Sequence, residues 1–303
     1  MNKKIIKYLL GVLVFLLIIG SVLISHFTKK EENKETLEYK VAGITKSPLY
    51  LPVFVGISKD MFDGLKVEYI NTTGGDIVNT MLLSDEIDSA INSLNVVITS
   101  SNEENRIVTI GQMTTRGGMT LISKKPINKI KTIVSAKQGG LPNTILEKTT
   151  DYKIEAKLSP QEGVTYFLNH DVDAIMAFEP FATNLINKGY KSKSMNSLYD
   201  DIPFNCILVK ESNVNDTKHQ KFNKGIREAI KYIYETDSKE IAESVGSLMD
   251  FEDIEVLTQI IETFKKDKVW SKDLTLSEEN YEYYLKISDM KKVEYNKVYY
   301  EVK

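Results

Sequence analysis

Cysteine is almost absent. The 303 residues hold one, Cys206, which excludes an internal disulfide and a thiolate metal cluster. Histidine is nearly as scarce: His26, His170 and His219 stand far apart, form no ligand pair, and each reads as a structural histidine. No G-x-S-x-G elbow, H-E-x-x-H helix, phosphate-binding G-x-x-x-x-G-K-[ST] loop or G-x-G-x-x-G turn occurs. Acidic residues are plentiful, but spacing singles out no pair for acid–base work. An excess of one charge is missing too. Lys and Arg number 39 against 42 Asp and Glu, for a net charge of −3, and the signs are interleaved. A nucleic-acid surface would need a clustered basic face, so no nucleic-acid partner is expected. There is no repeat and no low-complexity block. What remains, 42% hydrophobic and 27% charged residues, is the composition of a folded globular chain, with length for about two domains.

One long apolar run stands out. Residues 8–27, YLLGVLVFLLIIGSVLISHF, follow Lys3, Lys4 and Lys7 and hold no charge beyond a proton on His26. At about 1.5 Å rise per residue, such a run crosses a bilayer core of roughly 30 Å. It is longer than a secretory core and lacks a small-x-small cleavage site, so residues 1–27 read as an uncleaved signal anchor, with cleaved secretion as the alternative. The lysines before it place that end in the cytoplasm, although Lys29, Lys30 and Lys34 on the other side weaken the bias. Residues 28–37 are polar and charge-mixed and read as a tether.

From residue 38, strand-like and helix-like segments alternate. LKVEYI (65–70) has period two, and DIVNTMLL (76–83) has helical spacing with Asp76 as its expected cap. A second α/β unit starts at KTIVSA (131–136). It runs through a glycine turn into a helix, then YKIEAKL, QEGVTYFLNH, VDAIMAF and FATNLINKG to FNCILVK (204–210). Beyond about 217 the chain is helical. Phe222, Ile226, Ala229, Ile230 and Ile233 share one face, as do Ile254, Leu257, Ile261 and Phe264. TLSE (275–278) has capping-box spacing ahead of a helix that buries Tyr281, Tyr284 and Leu285. Alternation of this kind predicts an α/β protein with mainly parallel sheets.

Ligands in open α/β sheets bind beyond the carboxyl ends of the strands. The loops expected there carry small and hydroxyl residues beside helix starts, whose free N–H groups hold oxyanions or polar groups. The candidates are Ser47 and Tyr50, then Thr73 and Gly74, Asn92 and Ser93, and Thr115 and Arg116. In the second unit they are Gly139 and Asn143. Glu179 is the remaining candidate. It sits between Phe178 and Phe181 at the end of the VDAIMAF strand, where an unpaired carboxylate is costly. It either caps the helix that follows or meets an amine or amide-like ligand group or an inter-lobe partner, for which Arg116 is available. Tyr50 and Phe178 are candidate stacking walls, and Asp173 reads as structural.

The order of these features, SPLYLP, KDMF, a strand, GGD, SDEIDSAINS and later HDVDAIMAFEPF, resembles the SsuA/THI5-like (NMT1-like) solute-binding proteins of ABC importers, the sulfonate, taurine, nitrate and pyrimidine-precursor branch. The resemblance covers roughly residues 38–290. It departs from the family pattern where Asp85-Glu86 and His170-Asp171 stand in place of a glycine, and where Phe178 replaces a tryptophan. It implies a two-lobe periplasmic-binding-protein fold of type II with a hinge. Lobe one spans residues 38–123 and 207–303, and lobe two spans 124–206. It further implies a small-molecule ligand of the sulfonate, taurine or pyrimidine-precursor type, ABC permease subunits as partners, no cofactor, no metal and a monomeric, extracytoplasmic domain held at the cell membrane. A sensory or adhesive module on the same fold is the alternative. A synthase of the pyrimidine-precursor branch is disfavoured, because that activity resembles one needing a cysteine-rich motif that is absent here.

Overall fold

The computed structural model describes residues 37–101, 104–137 and 140–302. The expected anchor and nearly all of its tether lie outside the described residues, and among those described no helix is long and apolar enough to cross a membrane. The strands and helices run β1 (Leu37–Ile44), α1 (Leu51–Ser58), β2 (Leu65–Thr72), α2 (Gly75–Leu83), β3 (Ser89–Asn92), α3 (Leu94–Ser100) and β4 (Ile107–Thr114). There follow β5 (Thr120–Ser123), β6 (Thr132–Ala136), α4 (Leu141–Thr149), β7 (Lys153–Leu158), α5 (Pro160–Asn169), β8 (Ala174–Ala177), α6 (Phe181–Asn187) and β9 (Lys191–Ser194). The chain finishes with β10 (Asn205–Lys210), α7 (Thr217–Glu235), α8 (Ser238–Val245), α9 (Ile254–Lys266) and α10 (Glu278–Ser288).

The strands form two five-stranded sheets, ordered β2-β1-β3-β10-β4 and β7-β6-β8-β5-β9. The chain therefore passes from the first sheet to the second between Thr114 and Thr120, and returns between Ser194 and Asn205. Residues 120–123, grouped by sequence with the first lobe, pair with β8 and β9 in the second sheet. Both sheets are mixed rather than mainly parallel. β1 and β3 are parallel, as are β6 with β7 and β8, but β10 runs antiparallel to β3 and β4, and β5 runs antiparallel to β8 and β9. The reason is geometric. Strands in βα units end at the edge where the two sheets face each other, whereas β5 and β10 enter from the other sheet, start at that edge and run away from it.

Several local readings hold and two shift. Phe222, Ile226, Ala229, Ile230 and Ile233 of α7 are all buried against the first sheet with α1. Tyr281 and Tyr284 of α10 are fully buried. Gly189, with φ +88°, ends α6 by donating its N–H to the Ile186 carbonyl at 2.8 Å. The cap of α10, however, is Ser277, whose Oγ accepts from Asn280 N at 3.1 Å, two residues beyond the expected Thr275. The cap of α2 is Gly74, and Asp76 lies in the first turn, where an acid suits the helix dipole.

Two apolar clusters hold the first sheet. One lies under α1, α7, α8 and α9. The other covers the opposite face with α2, α3 and α10 and continues without a break into the second lobe through Met119, Leu121, Ile133, Leu141 and Ile145. Helix α10 packs on α4, and Lys148 Nζ donates to the Lys286 carbonyl at 2.9 Å and pairs with Asp289 at 2.5 Å. A third, smaller cluster lies under α5 and α6.

Candidate functional site

A cleft of about 790 Å³ opens between the two sheets. Its first-lobe wall is the segment Ile44–Tyr50 after β1, Asn71 at the end of β2, Phe204 and Asn205 at the start of β10, and Met249–Asp253 between α8 and α9. Its second-lobe wall is Phe178–Phe181 after β8, with Asn184 of α6 and Pro160 of α5. This is the location expected of a ligand site in open α/β sheets.

Of the residues singled out by sequence, the structure brings Ser47, Tyr50, Phe178 and Glu179 to this cleft. Ser47 starts the turn 48–50, and its Oγ accepts from Leu49 N at 3.3 Å. Tyr50 is 5% exposed, and burial pushes its phenol up to about 12. Glu179 makes the helix cap expected of it and also stands on the cleft wall. Oε2 accepts from Thr183 N at 3.0 Å, capping α6, while the side chain lines the cleft. Burial raises its carboxyl above the ordinary range, and the Thr183 N–H only partly offsets this. No cation is paired with Glu179 among the described residues.

The other described candidates stand away from the cleft wall, most of them held by a structural contact. Thr73 is exposed in the loop before α2, and Gly74 caps that helix with open space where a Cβ would be. Asn92 Nδ2 donates to Asn79 Oδ1 at 3.0 Å and to the Gly75 carbonyl at 3.3 Å. Ser93 Oγ accepts from Asn95 N at 3.3 Å and meets the Tyr284 hydroxyl at 3.1 Å. Thr115 Oγ1 donates to the Lys268 carbonyl at 3.0 Å. Asn143 is 3% exposed; its amide is occupied by Ser135 and by the Ala136 carbonyl at 2.7 Å. Gly139 lies outside the described residues.

Arg116 is a correction of a different kind. It reaches neither Glu179 nor the cleft. Its guanidinium pairs with Asp201 at 2.6 Å, donates to the carbonyls of Asn196 and Tyr199, and lies 5.5 Å from the Tyr199 ring centre. It ties together the two segments that join the lobes. These segments also bond to each other directly: Ile202 N to the Thr115 carbonyl and Phe204 N to the Thr114 carbonyl, both at 3.1 Å, and Gly117 N to Tyr199 Oη at 3.0 Å.

Sequence reasoning missed Asn71, Asn184, Phe204, Asn205 and the loop Met249–Asp253, and did not single out Lys46 within the loop that carries Ser47 and Tyr50. Asn205 carried a faint signal, a polar residue at the head of an apolar strand. The loop carried none, because only the return of the helical tail to the first lobe brings it to the cleft. Asp250 in that loop, with φ +56°, pairs with Lys46 at 2.7 Å. Among the described residues Lys46 is the only cationic side chain on the wall, set against the four carboxylates of Glu179, Asp250, Glu252 and Asp253.

Asp173, read as structural, is 5% exposed. Its Oδ2 accepts from Lys131 N at 2.8 Å and Thr132 N at 3.1 Å, and its other oxygen pairs with Lys125. The Lys125 contact, followed by the two N–H groups, holds its carboxyl down at about 2 against the cost of burial. A depressed carboxyl contributes stability above the unfolded-state value, near 3.9, and loses it as pH falls toward 2. Asp173→Asn is expected to cost about 2 kcal/mol at pH 7, with the difference from the parent shrinking between about pH 4 and pH 2 in urea unfolding. A difference that stays constant across that range would remove the ionised carboxylate from the account.

Two sheets joined by paired crossovers around a cleft define the periplasmic-binding-protein fold, the architecture of solute-binding proteins. The chain is 25% identical over 299 residues to a putative binding protein, YtlA, of Bacillus subtilis, with 89% of each chain covered. The ligand-binding component of an ABC-type import system from Staphylococcus aureus superposes with a TM-score of 0.68 at 14% identity, covering 88% of this chain and 97% of that one. The aliphatic sulphonate binding protein SsuA of Escherichia coli superposes at 0.62 and 11% identity, covering 84% and 91%. No family model matches the chain.

Proposed function

We propose that this chain is the extracytoplasmic receptor of an ABC importer, binding a small organic solute between its lobes and closing around it. The observation that carries this reading is the cleft of about 790 Å³, whose wall is shared by both lobes. That volume suits a small molecule. Tyr50, Asn71 and Asn205 come from one side and Phe178, Glu179 and Asn184 from the other, so a ligand touching both sides favours the closed form. The Staphylococcus aureus neighbour, described as the ligand-binding component of an import system, supports a permease as partner, and the descriptions of SsuA and YtlA as binding proteins support a binding rather than catalytic role. The long apolar run at residues 8–27 supports tethering at the cell membrane, which keeps a monomeric receptor close to its permease. Of the ligand types carried by the family resemblance, one bearing an amine or amide-like group for Glu179 suits the cleft best.

The test uses Cys206, the sole cysteine, which is fully buried with its thiol pushed up to about 12. Cysteines introduced at Asp76 and Lys188, both exposed and on opposite lobes, can therefore be labelled selectively. Compounds that raise the melting temperature of the full chain are expected to shorten the distance between spin labels at these positions. At about 100 times the dissociation constant, a ligand of the folded state adds about 2.7 kcal/mol. Stabilising compounds that leave the distance unchanged would sink hinge closure.

A further inference from the structure

The cleft wall is aromatic and acidic, and one buried amide on it is unsatisfied. Phe178, Phe181, Phe204 and Phe251 line the cleft, all only partly buried. None of the four stacks on another ring among the described residues, whereas Tyr50 has Tyr69 at 6.2 Å between ring centres. Asn205 is 7% exposed, and its Nδ2 has no hydrogen-bond partner among the described residues. A half-turn of that amide exchanges its donor and acceptor without changing its shape. A buried donor left unpaired bears its lost hydration uncompensated, so a ligand acceptor would recover it.

The charges point the same way. Asp253 caps α9 by accepting from Val256 N at 3.0 Å, and Lys46 is already matched by Asp250. Glu179 is the half-buried carboxylate with no cation. An anion would enter a cleft whose described wall carries four carboxylates and, besides Lys46 in its pair with Asp250, no cationic side chain. Among the described residues no group of three or more His, Cys, Asp or Glu is placed to hold a metal ion.

We propose that the ligand is a compact aromatic molecule carrying a cationic nitrogen: its ring lies among Phe178, Phe204 and Tyr50, its nitrogen meets Glu179, and an acceptor on the ring takes a hydrogen bond from Asn205. The proposal rests on the receptor reading and narrows it, setting alkyl sulfonates aside. A cation beside phenylalanine faces gains from the ring quadrupoles, and the Glu179 carboxylate recovers its lost hydration through a charge-assisted hydrogen bond.

Calorimetric titration of the full chain with four probes tests this: tyramine and benzamidine as aromatic cations, taurine and ethanesulfonate as sulfonates. Tyramine and benzamidine are expected to bind, and both to weaken by roughly tenfold or more in Glu179→Gln, which keeps an oxygen to cap α6. Asn205→Ala is expected to weaken tyramine, which has a phenolic oxygen, and to leave benzamidine within about twofold. Glu243→Gln, exposed on α8 and away from the cleft lining, is the control and should change neither. Tighter binding of a sulfonate than of both cations, or cation affinity indifferent to Glu179→Gln, overturns the proposal while leaving the receptor reading intact. Binding of no probe also overturns it, and the spin-label distance with other stabilising compounds then decides the receptor reading on its own.

Discussion

Gly118→Ala is expected to lower stability by roughly 2–4 kcal/mol, combining a left-handed backbone penalty with overpacking. Gly118 sits in the first crossover at φ +61°, a region that disfavours any side chain. A Cβ there would also lie 2.5 Å from Phe264, a ring 2% exposed in the core beneath α9. That ring packs edge-on against Trp270, 5.5 Å between centres, so one direction of retreat is taken by another buried ring. Urea unfolding of the full chain would measure the loss, and a variant within about 0.5 kcal/mol of the parent would contradict this account of the crossover. Gly117 beside it offers a contrast. Its Cβ would meet Phe204 at 2.5 Å, and Phe204 lines the cleft, so Gly117→Ala should disturb the ligand site through that ring.

Arg116→Ala carries the second large effect, a loss of about 2 kcal/mol together with a looser junction between the lobes. The ion pair with Asp201 accounts for little of this, because Asp201 is half exposed and water screens the pair. Most of the loss comes from the Asn196 and Tyr199 carbonyls, which would give up a charged donor, and from the guanidinium face over Tyr199. Hydrogen exchange should quicken at Ile202 and Phe204, whose N–H groups bond to the first crossover, while α7 keeps its protection. Arg116→Lys is not expected to restore stability, since a single ammonium cannot reproduce the planar fork. Unchanged exchange at Ile202 and Phe204 would show that the crossovers hold together without this residue.

These two residues also mark where sequence reasoning stopped. Arg116 followed the fourth strand with threonines and a glycine around it, the pattern of a ligand loop. Its partners, Asn196, Tyr199 and Asp201, are some 80 residues away, and no local pattern links them. The same separation hides the loop Met249–Asp253 and the pairing of Lys46 with Asp250. Glu179 was legible because its signal was local: a carboxylate between aromatic residues, followed by proline, at the end of an apolar strand. Of its two readings the cap is met, by one carboxylate oxygen, while the residue also lines the cleft.

By itself the sequence determined the α/β class and the alternating strands and helices. It also determined the buried faces of α7 and α10 and the ends of helices such as α6 at Gly189. Each of these follows from periodicity or from backbone preference within a few residues. Tertiary structure alone decided that both sheets are mixed, that β5 pairs into the second sheet, and which strand-end loops reach the cleft. It also decided that the cleft is aromatic and acidic. Those outcomes depend on where the two crossovers return the chain and on which distant side chains then share a wall, and short-range physical chemistry does not encode either.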